Sequence, residues 1–184
     1  LFEGYISLPR QMQFEEDEEE KPVNPLSLVL PYSQAFGLHE LEPDHPALRL
    51  FAKDHLYDFE RYTRENGIVW VPYTGGQVLI NGSIFVTSAE HLVFPVYHEG
   101  KLVGWQLRSV PGTFYGDQEK ALRYFHLFNK GNYLYNFDNA KRYERVIVVE
   151  CVKKALKFPN AVATWGSGIS RRQLQLLQKN WKEI

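Results

Sequence analysis

Glu150 is the residue of this 184-residue chain best placed to do chemistry. It closes the run Arg145-Val-Ile-Val-Val149, where one polar residue is followed by four apolar, β-branched ones. That pattern predicts a short strand buried on both faces of a parallel sheet. Ligands of open α/β sheets sit outside the carboxyl ends of the strands, so a carboxylate there can bind a metal or serve as general acid or base. A hard cation such as Mg²⁺ wants several oxygen ligands, usually more than one carboxylate with phosphate and water, and Glu150 alone does not supply them. Arg171 and Arg172 open the last predicted helix, where they can join its free N–H groups in an anion site or simply lie on a solvated face. The single cysteine, Cys151, excludes an internal disulfide and a Cys-rich zinc site. It reads as a small buried hydrophobe beside the strand or, less readily, as a thiol of lowered pKa at a helix start.

The elements that must position these groups follow directly. Residues 152–158 read as a short helix, 160–164 as a second buried strand, and Trp165-Gly-Ser-Gly168 as a tight glycine turn. Ser170-Arg-Arg-Gln173 has the form of a capping box opening a helix through Leu174, Leu176, Leu177 and Trp181. The order is strand, helix, strand, helix.

Upstream the period is different. Residues 68–72, 77–80, 83–87, 91–97 and 101–108 alternate with period two and are separated by Gly75-Gly76, Asn81-Gly82 and His98-Glu-Gly100, so consecutive antiparallel strands are expected. Asn81-Gly82 suits a type I′ hairpin turn, which needs positive φ at both central residues. Before them, Asp44-His-Pro46 opens a helix with Asp44 as N-cap and Ala47, Leu50, Phe51 and His55 at helical spacing, fading before Asn66-Gly67. The acidic run over residues 15–20 and the prolines after it predict a flexible linker.

Composition bounds the rest. A hydrophobic content of 44% and an aromatic content of 15% fit a packed domain with a sizeable core. No apolar run approaches the ~20 residues needed to cross a bilayer, which predicts a soluble, cytoplasmic protein. The net charge of −1 hides an asymmetry: the first third is strongly acidic and the remainder carries a basic excess able to meet phosphate. The chain opens on Leu and ends soon after the last helix, and is expected to be a processed piece or one part of a split protein.

Several stretches resemble DNA primases of the phage and bacterial type. Val148-Val-Glu150, Asn160-Ala-Val-Ala163 and Gly166-Ser-Gly168 are similar to the opening of a TOPRIM domain. Phe94-Pro95, the run Val103-Gly-Trp-Gln-Leu-Arg108, Arg123-Tyr-Phe-His126, Leu127-Phe-Asn-Lys-Gly131 and Leu134-Tyr135 are similar, in order, to the primase polymerase core. Asp44-His-Pro-Ala47 matches a segment that precedes that core. The chain departs from the pattern at Cys151, where glycine is usual, and at Lys154, where several primases carry Asp.

The resemblance implies an α+β chain: an acidic tail over 1–25, an antiparallel, β-rich primase-core portion over 26–142, and an incomplete TOPRIM domain over 143–184. It implies that Arg108, Arg123 and Lys130 line a groove for nucleic acid and nucleotide, with Tyr124 stacking on a base or packing beneath the sheet. Glu150 would be the one TOPRIM carboxylate present, binding Mg²⁺ or Mn²⁺ only with carboxylates from elsewhere, and no zinc module is present. The activity implied is template-directed RNA primer synthesis in phage DNA replication. Implied partners are single-stranded DNA, ribonucleotides, a second chain carrying the Asp-x-Asp half, and a replicative helicase. Alone, the chain is expected to be inactive. A non-catalytic nucleic-acid-binding or replisome-accessory protein derived from a primase is the alternative. A TOPRIM nuclease or topoisomerase fragment would share Glu150 but not Phe94-Pro95, Arg108 and the Leu127 to Lys130 match.

Overall fold

The computed structural model describes residues 35–51, 58–72, 77–80, 83–86, 89–113 and 124–184, with the side chains of 77–80, 83–86, 124, 125 and 127 left out. The readings for the acidic run, the Asn81-Gly82 turn, His55 and Arg123 lie outside these residues.

A five-stranded antiparallel sheet forms the first half, in the order β1 (Phe36–Gly37), β2 (Val69–Val71), β5 (His91–His98), β6 (Lys101–Ser109), β7 (Tyr124–Leu127). The two long strands at its centre are joined by Glu99-Gly100, with φ of 51° and 75°, as a two-residue type I′ turn requires. Asp138 fixes this turn by accepting from the backbone N–H groups of Glu99 (2.8 Å) and Gly100 (2.9 Å). β2 pairs with β5 only as far as Val93. Pro95 therefore falls where β5 has no neighbour on that side, a place where a residue without an N–H is tolerated.

Two expectations need correction here. Consecutive strands do not all pair: β3 (Gln77–Ile80) and β4 (Ser83–Val86) form a separate hairpin, and the chain returns to lay β5 against β2. The predicted helix after Asp44 is short and differently capped. α1 is Pro46–Arg49, and His45, not Asp44, is its N-cap, with Nδ1 accepting from the Ala47 N–H at 3.1 Å. A residue before proline is driven into extended backbone, and His45 at ψ 134° is thereby set as the cap itself. A second helix, α2 (Phe59–Glu65), follows and ends at Asn66.

The second half has the expected order: β8 (Ile147–Val149), α4 (Val152–Ala155), β9 (Ala161–Ala163) and α5 (Arg171–Asn180), with α3 (Phe137–Ala140) leading in. β8 and β9 pair in parallel, Val148 opposite Val162. β9 is fully buried, but β8 is only half-buried, which corrects the two-faced burial expected of it. Two strands with short helices do not cover both faces of β8. Ser170 and Gln173 form the predicted capping box of α5. The far edge of β8 meets the chain's last residues: the Val146 N–H donates to Glu183 O at 3.0 Å, and Arg145 and Glu183 form a parallel bridge.

The halves share a core. Leu92, Phe94 and Val96 on one face of β5 pack in one cluster with Tyr62, Tyr135 and Leu156. Burying each such side chain contributes about 1.5–3 kcal/mol. Tyr135 also bridges β9 through Tyr135 N–H to Ala163 O (3.0 Å) and its reciprocal (3.3 Å), so backbone before residue 143 is bonded into the second half. Among the described residues no helix is long and apolar enough to cross a membrane.

Candidate nucleotide site

The carboxyl ends of β8 and β9 open onto the same face of the five-stranded sheet that carries Leu92 and Phe94. A cavity of about 360 Å³ lies there. The sheet contributes Gln106 and His126, the turn after β7 contributes Lys130, the end of β8 contributes Glu150 and Cys151, and the turn after β9 contributes Trp165, Gly166 and Ser167. Lys130 and Glu150, from opposite halves of the chain, thus line one space.

Local sequence sets each position. Gln106 and His126 are register partners across β6 and β7, so their side chains leave the sheet on one face. Asn129 caps the 3₁₀ turn Lys130–Asn132, its Oδ1 accepting from the Gly131 N–H at 3.0 Å. The start of α5 then clamps that turn. Ser170 Oγ donates to Gly131 O at 2.5 Å, and Gln173 Nε2 donates to Lys130 O (2.8 Å), Tyr133 O (2.9 Å) and Thr164 O (3.2 Å). One side chain therefore ties the Lys130 turn to the loop after β9.

That loop is strained where sequence reading did not look for it. The left-handed residue of the predicted glycine turn is Trp165, at φ 70°, and none of the glycines beside it has positive φ. Such a conformation costs a non-glycine residue about 1–3 kcal/mol and persists only where its surroundings hold it. Trp165 Nε1 donates to Tyr133 O at 3.0 Å, and its ring meets Phe128 and Tyr135 edge-on, with centroids 4.7 and 5.4 Å away.

The charges are sorted around the cavity. Burial, reinforced by the Lys130 charge, pushes the pKa of His126 down to about 4, so its imidazole is neutral near pH 7. Glu150 is exposed and accepts from Lys154 Nζ at 2.9 Å. That hydrogen bond and charge raise the Lys154 pKa. Among the described residues Glu150 is the one carboxylate along the cavity, its charge is met by Lys154, and no group of three His, Cys, Asp or Glu stands together. The described side chains do not by themselves fit a divalent cation.

The remaining sequence-derived positions are spread more widely. Arg108 is half-buried on β6, on the same face as Gln106 but two register pairs further along, opposite Tyr124. Tyr124 opens β7; whether its ring stacks or packs lies outside the described side chains. Arg171 and Arg172 are exposed on the first turn of α5 and do not line the cavity. Cys151 is half-buried at the cavity wall rather than enclosed in the core, because α4 is a single turn. Sequence reading missed Gln106 and His126 as lining residues, and saw Gln173 only as half of a capping box. Their alternation along β6 and β7 was the available signal, but which face met the second half was not.

No protein-family model matches the chain, and no curated protein matches it. Solved structures do. The Aquifex aeolicus primase, comprising zinc-binding and RNA polymerase domains, aligns with a TM-score of 0.56 at 18% identity over 76% of this chain and 41% of its own. The RNA polymerase domain of Mycobacterium tuberculosis primase DnaG, in complex with a double-stranded DNA oligomer with a 6-nucleotide overhang, aligns at 0.55 and 16% identity over 76% of this chain and 53% of its own. The same domain without DNA aligns at 0.54 and 17% identity. The chain thus spans about half, or less, of the length of these proteins. At these identities the likeness is one of fold, and the fold of this chain is that of a primase-type RNA polymerase core.

Proposed function

We propose that this chain is the N-terminal part of the catalytic core of a DNA primase, acting in phage DNA replication, with residues 143–184 as the first half of a TOPRIM domain. The observation that carries the reading is the cavity shared by Lys130 and Glu150 within a primase-type fold. In the reaction, the 3′-oxygen of one ribonucleotide bonds the α-phosphorus of the next, pyrophosphate leaves, and the hydroxyl proton passes to solvent. Lys130 holds triphosphate oxygens and Arg108 serves the nucleic-acid groove, with Arg123 and Tyr124 given the same role toward a single-stranded DNA template by the resemblance alone. Arg171 and Arg172 add a further anion contact at the α5 start. The DNA-bound mycobacterial neighbour supports a DNA template.

Glu150 takes part in Mg²⁺ or Mn²⁺ binding only with carboxylates that a second chain brings. At the far edge of β8 a neighbouring backbone already runs parallel to the chain entering the strand, through the Val146 N–H to Glu183 O bond and the Arg145–Glu183 bridge. A second chain with an Asp-x-Asp strand suits this open edge. The cytoplasm, with a replicative helicase as further partner, is the setting this activity requires.

Primer synthesis on single-stranded DNA with labelled ribonucleotides and Mg²⁺ or Mn²⁺ tests the proposal. It is run with this chain alone, with the product of the neighbouring reading frame, and with Glu150→Gln. Products that need the second chain and vanish in the variant are expected. Salt-sensitive binding of single-stranded DNA with no product in any mixture would favour the second reading, a non-catalytic accessory protein, which the Lys154 ion pair on Glu150 supports.

A further inference from the structure

We propose that Gln106 is a sugar-reading residue: its carboxamide recognises a ribose hydroxyl of the nucleotide in the Lys130–Glu150 cavity and selects ribonucleotides over deoxyribonucleotides. This rests on the nucleotide-joining reading given above for the same cavity.

Gln106 is 8% exposed, yet it lines the cavity. Among the described residues its carboxamide has no hydrogen-bond partner, whereas Gln173, buried to a similar degree, engages three carbonyls. The amide opens onto the cavity, where water meets it in the free protein and a polar group of a ligand can take that water's place.

The ligand's chemistry follows from what surrounds the amide. Gln106 and His126 stand side by side as register partners, and both are uncharged at neutral pH, since burial and Lys130 hold His126 near pKa 4. A phosphate would move to Lys130, the cationic side chain on the wall. A flat apolar ring finds its match on the Trp165 side of the cavity instead. Uncharged groups that each both donate and accept remain, and these are hydroxyls. A carboxamide offers one donor and one acceptor to such a group. The cavity, at about 360 Å³, lies in the range that small-molecule sites occupy. The three parts of a nucleotide thereby map onto three kinds of wall.

The test is calorimetric titration of the whole chain with ATP, 2′-deoxyATP and 3′-deoxyATP, repeated on Gln106→Leu, which nearly conserves volume while removing the amide. The expected result is that one of the two deoxy analogues binds about tenfold more weakly than ATP to the unchanged protein, a loss matching one hydrogen bond to a buried group. In Gln106→Leu, ATP should fall to the level of that analogue while the analogue's own affinity holds. Equal affinities for all three nucleotides in the unchanged protein would overturn the inference and leave the nucleotide site standing. So would discrimination that survives in Gln106→Leu. Binding of no nucleotide at all would overturn the cavity's proposed function and this inference with it. The comparison among analogues on the unchanged protein stands even if the variant fails to fold.

Discussion

Lys154 Nζ lies 2.9 Å from the Glu150 carboxylate, four residues further along, so the acid at the end of β8 is already ion-paired by its own chain. Both side chains are more than half exposed, and a surface pair of this kind adds little to folding. Its consequence is chemical, because a cation approaching Glu150 must displace the ammonium. Lys154→Asp replaces the competitor with a second carboxylate. We expect Mn²⁺ affinity, followed by titration, to rise about tenfold or more, with the melting temperature unchanged. Adding Glu150→Gln should return the affinity to its starting value.

The parts of this fold that could be read from the chain are those decided within a few residues. Ser170 and Gln173 announced their helix because a capping box is a local exchange of hydrogen bonds. The period-two runs gave the strands, and the βαβα order gave the parallel pair. What escaped depends on distant neighbours. β8 is half-buried because of how few elements flank it, and β2 skips to β5 because a hairpin leaves the sheet. The positive φ sits on Trp165 because Tyr133, Phe128 and Tyr135 hold the indole there. The candidate site divides in the same way. Glu150 was legible from its strand end and Lys130 from resemblance, but Gln106 and His126 depend on which sheet face meets the second half.

Gln173 should be among the most costly side chains to remove. It is 1% exposed and its Nε2 serves three backbone carbonyls on two loops. Gln173→Leu keeps the volume but removes these bonds, leaving Thr164 O without its donor while Tyr133 O keeps Trp165 Nε1 and Lys130 O keeps the Tyr133 N–H, and we expect a loss of about 2 kcal/mol in urea denaturation. Because the same bonds hold the Lys130 turn, nucleotide affinity should fall in the folded fraction as well.

Asn136 joins the halves from a left-handed backbone, at φ 61°. Its Nδ2 donates to Ala161 O at 2.8 Å and to the Tyr62 hydroxyl, while its Oδ1 accepts from Asn139 at 3.0 Å. Asn136→Ala loses all of these and keeps a Cβ in the disfavoured region without the polar side chain that eases it there, so about 3 kcal/mol of destabilisation is expected. Asn136→Gly loses the same bonds without the backbone cost and should be about 1 kcal/mol less damaging. Equal losses in the two variants would show that the backbone contributes nothing.

The tip of the β5–β6 hairpin is held by one side chain, Asp138, through two N–H groups. The site is exposed, so Asp138→Ala should cost only about 1 kcal/mol overall. The local effect is larger. Amide exchange at Glu99 and Gly100 should accelerate about tenfold or more, while the Trp105 and Leu107 amides at the sheet centre stay protected.

Acid should weaken the fold through two histidines. Burial lowers the pKa of His91 to about 4, and burial with the Lys130 charge does the same to His126, against an ordinary value of 6.5. Between these values the unfolded chain binds protons that the folded chain refuses, so stability rises with pH across that window. The contribution is complete above about pH 6.5, is lost progressively as pH falls toward 4, and levels off below. Each histidine can add at most about 1.4 kcal/mol per pH unit to the slope. Urea midpoints measured from pH 7 to 4 should therefore slope less in His91→Phe and in His126→Asn than in the unchanged chain, and least in the double variant. A slope that neither substitution alters would mean that both rings already titrate near 6.5 in the folded state. His126 would then carry positive charge into the Lys130 cavity in mildly acidic solution, and nucleotide binding would strengthen as the pH dropped.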